Sequence, residues 1–167
     1  MRKIIVGVMG PGKNASKKDI DNSFQLGRLI ARKGWILLSG GRNEGVMDAV
    51  NKGARESNGL TIGIMPTSDP KTFSESVDIA IITDMKSARN NINVLSSNIV
   101  IACGMGVGTA SEVALALKAN KKVILLTDDE DAKRFFSKIG NGRVYLASTP
   151  TEAVILAEQA VVSQIHE

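Results

Sequence analysis

Short apolar runs alternate along this chain with segments in which apolar residues recur every three or four positions. The runs have the length of β-strands, and the segments between them have the period of an amphipathic helix. Such alternation is typical of a parallel sheet covered by helices on both faces. We therefore predict an α/β fold with a Rossmann-like, doubly wound and mainly parallel sheet of six or seven strands. Strands are expected at residues 3–9, 35–38, 60–65, 77–82, 99–103, 122–126 and, as a short last strand, 143–146.

Six helices are predicted to connect and follow these strands. The first begins at a capping-box pattern, Ser16 to Asp19, and ends at Gly34. Later helices are expected through Val46–Ala54, over residues 85–95 and over about 109–120. The acidic run 128–131 predicts a negatively charged helix start before Phe135 and Phe136, which we expect in the core, and a capping pattern at 149–152 begins the last helix.

The length and the charge of the chain limit the classes of protein to which it can belong. A chain of 167 residues is expected to form a single domain, residues 1–167. Its 21 Lys and Arg are interspersed with 17 Asp and Glu, so the formal charge of +4 does not indicate a nucleic-acid-binding surface. The apolar run after Met1 stops at Gly10 without a cleavage site, and no stretch approaches the roughly 20 apolar residues of a membrane span. We therefore expect a cytoplasmic protein without membrane contact.

Two scarce residue types exclude several chemistries. Cys103 is the one cysteine, so the chain has no internal disulfide, and its position at the end of an apolar strand favours packing over reactivity. His166 is the one histidine and is expected in a frayed tail, which argues against Ser-His-Asp catalysis, Cys-His catalysis and histidine-based metal sites. We predict no metal site.

Glycines form three clusters that each follow a predicted strand. In a doubly wound sheet these turns lie at the carboxyl ends of the strands, where ligands bind. Glycine allows a ligand to approach the backbone, and a helix N-terminus after the turn attracts phosphate. A purely structural role in the turns is the alternative for any one cluster. From the three clusters together, we predict one binding site for a phosphorylated ligand. Its residues are Gly10, Gly12, Gly40, Gly41, Gly45, Gly104, Gly106, Gly108 and Thr109.

Two common nucleotide fingerprints are missing. The first strand is followed by Gly7-x-x-Gly10-x-Gly12, not Gly-x-Gly-x-x-Gly, and the second strand ends without the acidic residue that binds a ribose. Lys13 lacks the glycine spacing and the following Ser or Thr of a Walker motif. A dinucleotide-dependent dehydrogenase and a P-loop nucleotidase are therefore disfavoured.

Glu112 and Arg89 are the candidate catalytic residues. Thr109 to Glu112 matches a capping box, so Glu112 could be a helix cap, but it alone among the capping patterns has Gly-x-Gly-x-Gly before it. A carboxylate there could poise water or stabilise an oxocarbenium-like ribose carbon. Arg89 could hold a phosphate through two parallel hydrogen bonds, or could be an ordinary exposed arginine. The asparagines at 90, 91 and 93 are ligand contacts or surface residues.

Four segments, in the order in which they occur along the chain, resemble the Lonely-guy-type Rossmann superfamily. They are Leu38-Ser39-Gly40-Gly41-x-x-x-Gly45-Val46-Met47, Thr61 to Pro66, Arg89-Asn90 and Gly104-x-Gly106-x-Gly108-Thr109-x-x-Glu112. The superfamily includes cytokinin-activating phosphoribohydrolases, which cleave nucleoside 5′-monophosphates to base and ribose 5-phosphate. It also includes molybdenum cofactor carrier proteins and more distant relatives of the DNA-processing protein Smf.

The resemblance implies a catalytic role for Glu112 and Arg89 and a phosphate-binding turn at Gly106, Gly108 and Thr109. The hydrolases have Pro-Gly-Gly before the shared Gly-Thr-x-x-Glu, whereas Gly104 and Met105 stand here, and Asn90 replaces the lysine of their Arg-Lys pair. The Ala-Arg-Asn sequence at 88–90 looks more like the carrier branch.

Three functions are compatible with this sequence. The first is a carrier that binds a nucleotide or a molybdopterin-type cofactor as its ligand and needs no cofactor of its own. The second is a nucleoside 5′-monophosphate phosphoribohydrolase, and the third is an Smf-like module that handles nucleic acid. The resemblance also implies a homo-oligomer, either a dimer or a tetramer.

Overall fold

The computed structural model describes residues 3–165 and forms a seven-stranded parallel sheet. All seven predicted strands are confirmed, and most begin one or two residues later than expected. The strands are β1 Ile5–Met9, β2 Ile36–Ser39, β3 Thr61–Met65, β4 Ile79–Ile82, β5 Ile99–Cys103, β6 Val123–Leu126 and β7 Val144–Leu146. Their order across the sheet is β4-β3-β2-β1-β5-β6-β7.

Helices cover both faces of the sheet, as predicted. Alternate strand residues point to opposite faces. Val6 lies in a cluster with residues of the first, second and last helices, while Val100 lies in a cluster with residues of the third, fourth and fifth. Each face therefore has its own apolar core. The helices are α1 Lys17–Arg32, α2 Gly45–Glu56, α3 Asn90–Ser96, α4 Val107–Lys118, α5 Glu130–Ile139 and α6 Pro150–Ile165.

Several predicted helix ends are confirmed by their hydrogen bonds. Ser16 and Asp19 form the reciprocal capping box that begins α1, and Gly34 follows α1 with a φ of 70°. The acidic run begins α5, where the Asp129 side chain accepts from the amide of Ala132. The Thr149 hydroxyl accepts from the amide of Glu152 at the start of α6.

Three local predictions are wrong. The helix predicted to begin at Thr109 begins at Val107 with Gly106 as its N-cap, so Thr109 to Glu112 is not a capping box. The helix predicted over 85–95 is a 3-10 turn, Lys86–Arg89, followed by α3, because Asp84 and Lys86 have positive φ values. Phe135 is largely exposed, although its neighbour Phe136 is buried in the core.

The order of the strands changes direction between β1 and β5. From β1 the chain adds β2, β3 and β4 on one side, and it then crosses to add β5, β6 and β7 on the other. At such a switch point the turns after the two central strands separate and leave a crevice. The first and third glycine clusters therefore lie on opposite sides of one opening.

Candidate functional site

A pocket of about 730 Å³ occupies this crevice and extends over the carboxyl ends of five neighbouring strands. Its volume lies within the range of small-molecule sites, roughly 300–1,000 Å³. It brings together eight of the eleven predicted site residues: Gly10, Gly12, Gly40, Arg89, Gly106, Gly108, Thr109 and Glu112.

The other three predicted glycines, Gly41, Gly45 and Gly104, do not line the pocket. All three have positive φ values, which glycine adopts without strain. A Cβ added at Gly45 would lie only 2.1 Å from the carbonyl oxygen of Gly12. Gly45 therefore allows the start of α2 to pack directly on the turn after β1. This turn lines the pocket, so Gly45 supports the pocket without lining it.

The N-terminus of α4 provides an anion-binding feature. Gly106 is the N-cap and has no side chain, so the first amides of α4 lack a capping side chain. Thr109 is 2% exposed, lines the pocket, and its hydroxyl has no hydrogen-bond partner. A buried, unpartnered hydroxyl beside free helix amides is suited to a ligand oxygen.

Arg89 lies in the pocket wall and is only 7% exposed, which excludes the alternative of an ordinary surface arginine. Its Nε has no hydrogen-bond partner, and burial lowers the pKa of the guanidinium, partly offset by the charge of Glu112. A Cβ at Gly40 would lie 2.3 Å from Nη1 of Arg89. Gly40 therefore makes room for the guanidinium at the end of β2.

Glu112 is also 7% exposed, and its Oε1 accepts a hydrogen bond of 2.8 Å from Nδ2 of Asn93. Burial raises the pKa of this carboxyl from 4.5 to about 7, against the opposing effects of the Asn93 hydrogen bond and the Arg89 charge. Among the ion pairs of the described residues, none joins Glu112 to Arg89. The pocket therefore holds a carboxyl group that changes protonation near neutral pH.

This pKa predicts a pH dependence of stability. Because the pKa is raised from 4.5 to about 7 on folding, the folded chain retains a proton that the unfolded chain has lost, and its free energy of unfolding falls as the pH rises through that range. The pKa difference corresponds to about 3 kcal/mol in the free energy of unfolding. This stabilisation is fully present below pH 4.5 and is lost above pH 7. We expect Glu112→Gln to remove this slope in urea unfolding between pH 4.5 and 8. Parallel curves for the two proteins would contradict the assignment.

Several residues that line the pocket, or that position one of its side chains, were missed by the sequence reasoning. Asn93 is fully buried and orients Glu112, although it was considered only as a ligand contact or a surface residue. Lys13, Arg42 and Lys86 add positive charge to the pocket, and Arg42 pairs with Glu44 at 3.0 Å. These three follow different strands, so their positions in the sequence gave no signal that they converge.

The remaining predicted residues lie outside the pocket. Cys103 is buried at the end of β5, and burial together with the nearby Asp19 charge raises the pKa of its thiol, in keeping with a packing role. His166 lies outside the described residues. No helix of residues 3–165 is both long enough and apolar enough to cross a membrane.

The model of the SLOG cluster4 family matches residues 3–154, including every residue discussed for the pocket. The chain belongs to this family. The match confirms the resemblance inferred from the four ordered segments, and it extends over the whole seven-stranded sheet.

Within the SLOG fold, two solved structures resemble this chain over almost their full length. The molybdenum cofactor binding protein of Rippkaea orientalis is 54% identical, with a TM-score of 0.94 over 95% of this chain and 98% of its own. The Moco carrier protein of Chlamydomonas reinhardtii is 49% identical, with a TM-score of 0.91 over 97% and 99% of the two chains.

A more distant similarity concerns an enzyme. The cytokinin riboside 5′-monophosphate phosphoribohydrolase of Mycobacterium tuberculosis is 33% identical over 96 residues, or 56% of this chain. The match spans 51% of that enzyme, about half of its length. The similarity to the two cofactor-binding proteins is therefore both greater and more complete.

Proposed function

We propose that this protein is a carrier that binds the molybdenum cofactor or a related phosphorylated, nucleotide-like molecule in the pocket at the switch point. The proposal is supported by identities of 54% and 49% to a molybdenum cofactor binding protein and a Moco carrier protein. The observation that carries it in this chain is the pair of buried groups without hydrogen-bond partners, the Thr109 hydroxyl and Nε of Arg89, in one pocket.

The binding mode follows from the donors that surround the pocket. A phosphate placed at the start of α4 accepts hydrogen bonds from free backbone amides and from Thr109. Arg89 adds a positive charge that is itself largely buried, where a charge-assisted hydrogen bond is stronger than at the surface. The neutral rings of the ligand would then lie over Gly10 and Gly40, which line the pocket and have no side chains.

A phosphoribohydrolase is the second candidate, because Glu112 and Arg89 share the pocket and the mycobacterial enzyme is a relative. In this reaction water would replace the base at the ribose carbon, with Glu112 stabilising the oxocarbenium-like transition state or positioning water. Met105 stands in the glycine turn where the hydrolases have a glycine, and Asn90 stands where they have a lysine. These two departures favour the carrier.

Native mass spectrometry of the purified protein tests the carrier directly. We expect a retained ligand whose mass and metal content identify it. Incubation with a panel of nucleoside 5′-monophosphates, followed by an assay for ribose 5-phosphate, tests the enzyme. Turnover that disappears in Glu112→Gln would overturn a purely carrying role, whereas no turnover across the panel would exclude the hydrolase.

We further propose a homo-oligomer, either a dimer or a tetramer. The edge strand β4 supports this because all four of its residues, Ile79 to Ile82, are exposed. An exposed apolar edge strand invites pairing unless it is covered. The same native mass spectra report the number of chains, and a monomer at micromolar concentration would contradict the proposal.

A further inference from the structure

Two carboxyl side chains line the pocket, and their surroundings differ. Glu44 forms an ion pair of 3.0 Å with Arg42. Glu112 belongs to none of the ion pairs among residues 3–165, and its Oε1 accepts a hydrogen bond from the uncharged amide of Asn93. A buried carboxylate without a contacting cation is costly, so these surroundings favour the neutral carboxylic acid at Glu112.

The side chain of Asn93 gives a second reason for a proton on Glu112. It is fully buried, and its Nδ2 donates to Glu112, but its Oδ1 has no hydrogen-bond partner. A carboxylate can only accept hydrogen bonds, so an ionised Glu112 offers this oxygen nothing. A carboxylic acid has an O–H group and can pair with a primary amide in both directions. The unpartnered Oδ1 therefore also favours the neutral form of Glu112.

The proposed anion site lies one helical turn from this carboxyl group. Thr109 and Glu112 are three residues apart on α4, so they are neighbours on one face of the helix, and both line the pocket. Arg89 is close enough that its charge and that of Glu112 each alter the pKa of the other. An ionised Glu112 therefore repels an anion at Thr109 and offsets the charge of Arg89, whereas a neutral Glu112 leaves that charge to the anion.

Arg89 is the charged group of the described residues that acts on Glu112. The elements that pack against α4 include α3, β5 and β6, which contain no charged side chain, and α5, which does not line the pocket. Lys118 lies at the opposite end of α4. The other charged residues that line the pocket are Lys13, Arg42, Glu44 and Lys86. The local charge at the start of α4 is therefore set by Arg89 and by the protonation of Glu112.

We propose that Glu112 couples binding of the anionic ligand to uptake of a proton. The ligand binds at the start of α4 while Glu112 is a neutral carboxylic acid, so an ionised Glu112 must take one proton from the solvent as the anion binds. The same proton returns to the solvent when the anion leaves. The inference rests on the proposed binding function and adds a control of its affinity by pH.

The direction of the pH dependence follows from the raised pKa of Glu112, about 7. At pH 6 the carboxyl is already mostly neutral, so binding takes up little more. At pH 8 about nine-tenths of it is ionised, and a bound anion disfavours that form. Binding at pH 8 should therefore take up close to one proton, and the affinity should be about tenfold lower than at pH 6.

Calorimetric titration with sodium sulfate tests this coupling, because sulfate remains a dianion throughout this pH range. Titrations at pH 8 in two buffers with different enthalpies of ionisation give the number of protons taken up for each sulfate bound. Titrations at pH 6 and pH 8 give the ratio of affinities.

Glu112→Gln is the decisive variant, because glutamine is neutral at both pH values and keeps the shape of the side chain. It should take up no proton, and it should bind sulfate at pH 8 as tightly as the parent chain does at pH 6. Glu44→Gln makes the same substitution at the other carboxyl of the pocket, and it should retain the proton uptake of the parent chain.

The outcomes separate this inference from the function on which it rests. Sulfate binding without proton uptake at pH 8, uptake that survives Glu112→Gln, or loss of sulfate binding in a folded Glu112→Gln variant would overturn the coupling alone. Absence of sulfate binding by the parent chain at both pH values would overturn the proposed anion site and the coupling with it.

Discussion

Arg89→Met is expected to weaken binding of the molybdenum cofactor about 100-fold. The substitution keeps an unbranched side chain like the aliphatic part of arginine but removes a buried guanidinium that lines the pocket without a hydrogen-bond partner for its Nε. A charge-assisted hydrogen bond contributes about 1.5–3 kcal/mol, and a bidentate pair lies at the upper end, which corresponds to about two orders of magnitude in affinity. Occupancy measured by native mass spectrometry during titration with the cofactor gives the ratio.

Arg134→Ala is the matched control for this experiment. Arg134 is an exposed arginine on α5, paired with Asp131 and outside the pocket, so its loss should leave the affinity unchanged. The thermal unfolding of Arg89→Met establishes that the variant remains folded. Equal occupancies in a folded Arg89→Met variant and the parent chain would show that Arg89 does not bind the ligand.

Gly27→Ala is expected to lower the free energy of unfolding by about 2–3 kcal/mol, although alanine normally stabilises the interior of a helix. Gly27 lies where α1 crosses α2, and an added Cβ would lie 2.1 Å from the carbonyl oxygen of Val50 and 2.7 Å from the amide nitrogen of Ala54. Both atoms belong to the backbone of α2, so a change of rotamer cannot relieve the clash. The two helices must move apart.

Gly108→Ala provides the comparison, because it makes the same substitution in another helix. A Cβ at Gly108 meets no atom within 4 Å, so this variant should be at least as stable as the parent chain. Urea unfolding of both variants measures the difference. Equal stabilities would mean that the α1–α2 interface yields to the extra methyl group at little cost.

The strands and the glycine clusters could be predicted because each depends on local sequence. An uninterrupted apolar run such as Ile99–Cys103 indicates, from its own residues alone, a strand that is buried on both faces of the sheet. A position for Arg89 and Glu112 beside a glycine-rich turn at the edge of the sheet could be proposed from the sequence, with a surface arginine and a helix cap as the alternatives. Their final positions agree with that proposal.

Features that depend on the packing of distant segments could not be predicted. The start of α4 was misplaced because Thr109 to Glu112 has the residues of a capping box, while Asn93 of a different helix binds the carboxylate instead. Lys13 and Lys86 meet the same pocket only because the strands are arranged in the order β4-β3-β2-β1-β5. That order is a property of the whole sheet.

The helix starts show a division between stability and function. Hydroxyl or carboxylate side chains cap α1, α5 and α6 through Ser16, Asp129 and Thr149, but the three helices that begin at the pocket, α2, α3 and α4, have no side-chain cap. A missing cap costs a helix about 1 kcal/mol. Under the proposed function, an anionic ligand at α4 would take the place of that cap, so binding would complete the hydrogen bonds of the helix. Amide hydrogen exchange in the first turn of α4 should accordingly slow when the ligand binds and return to its earlier rate when the ligand leaves.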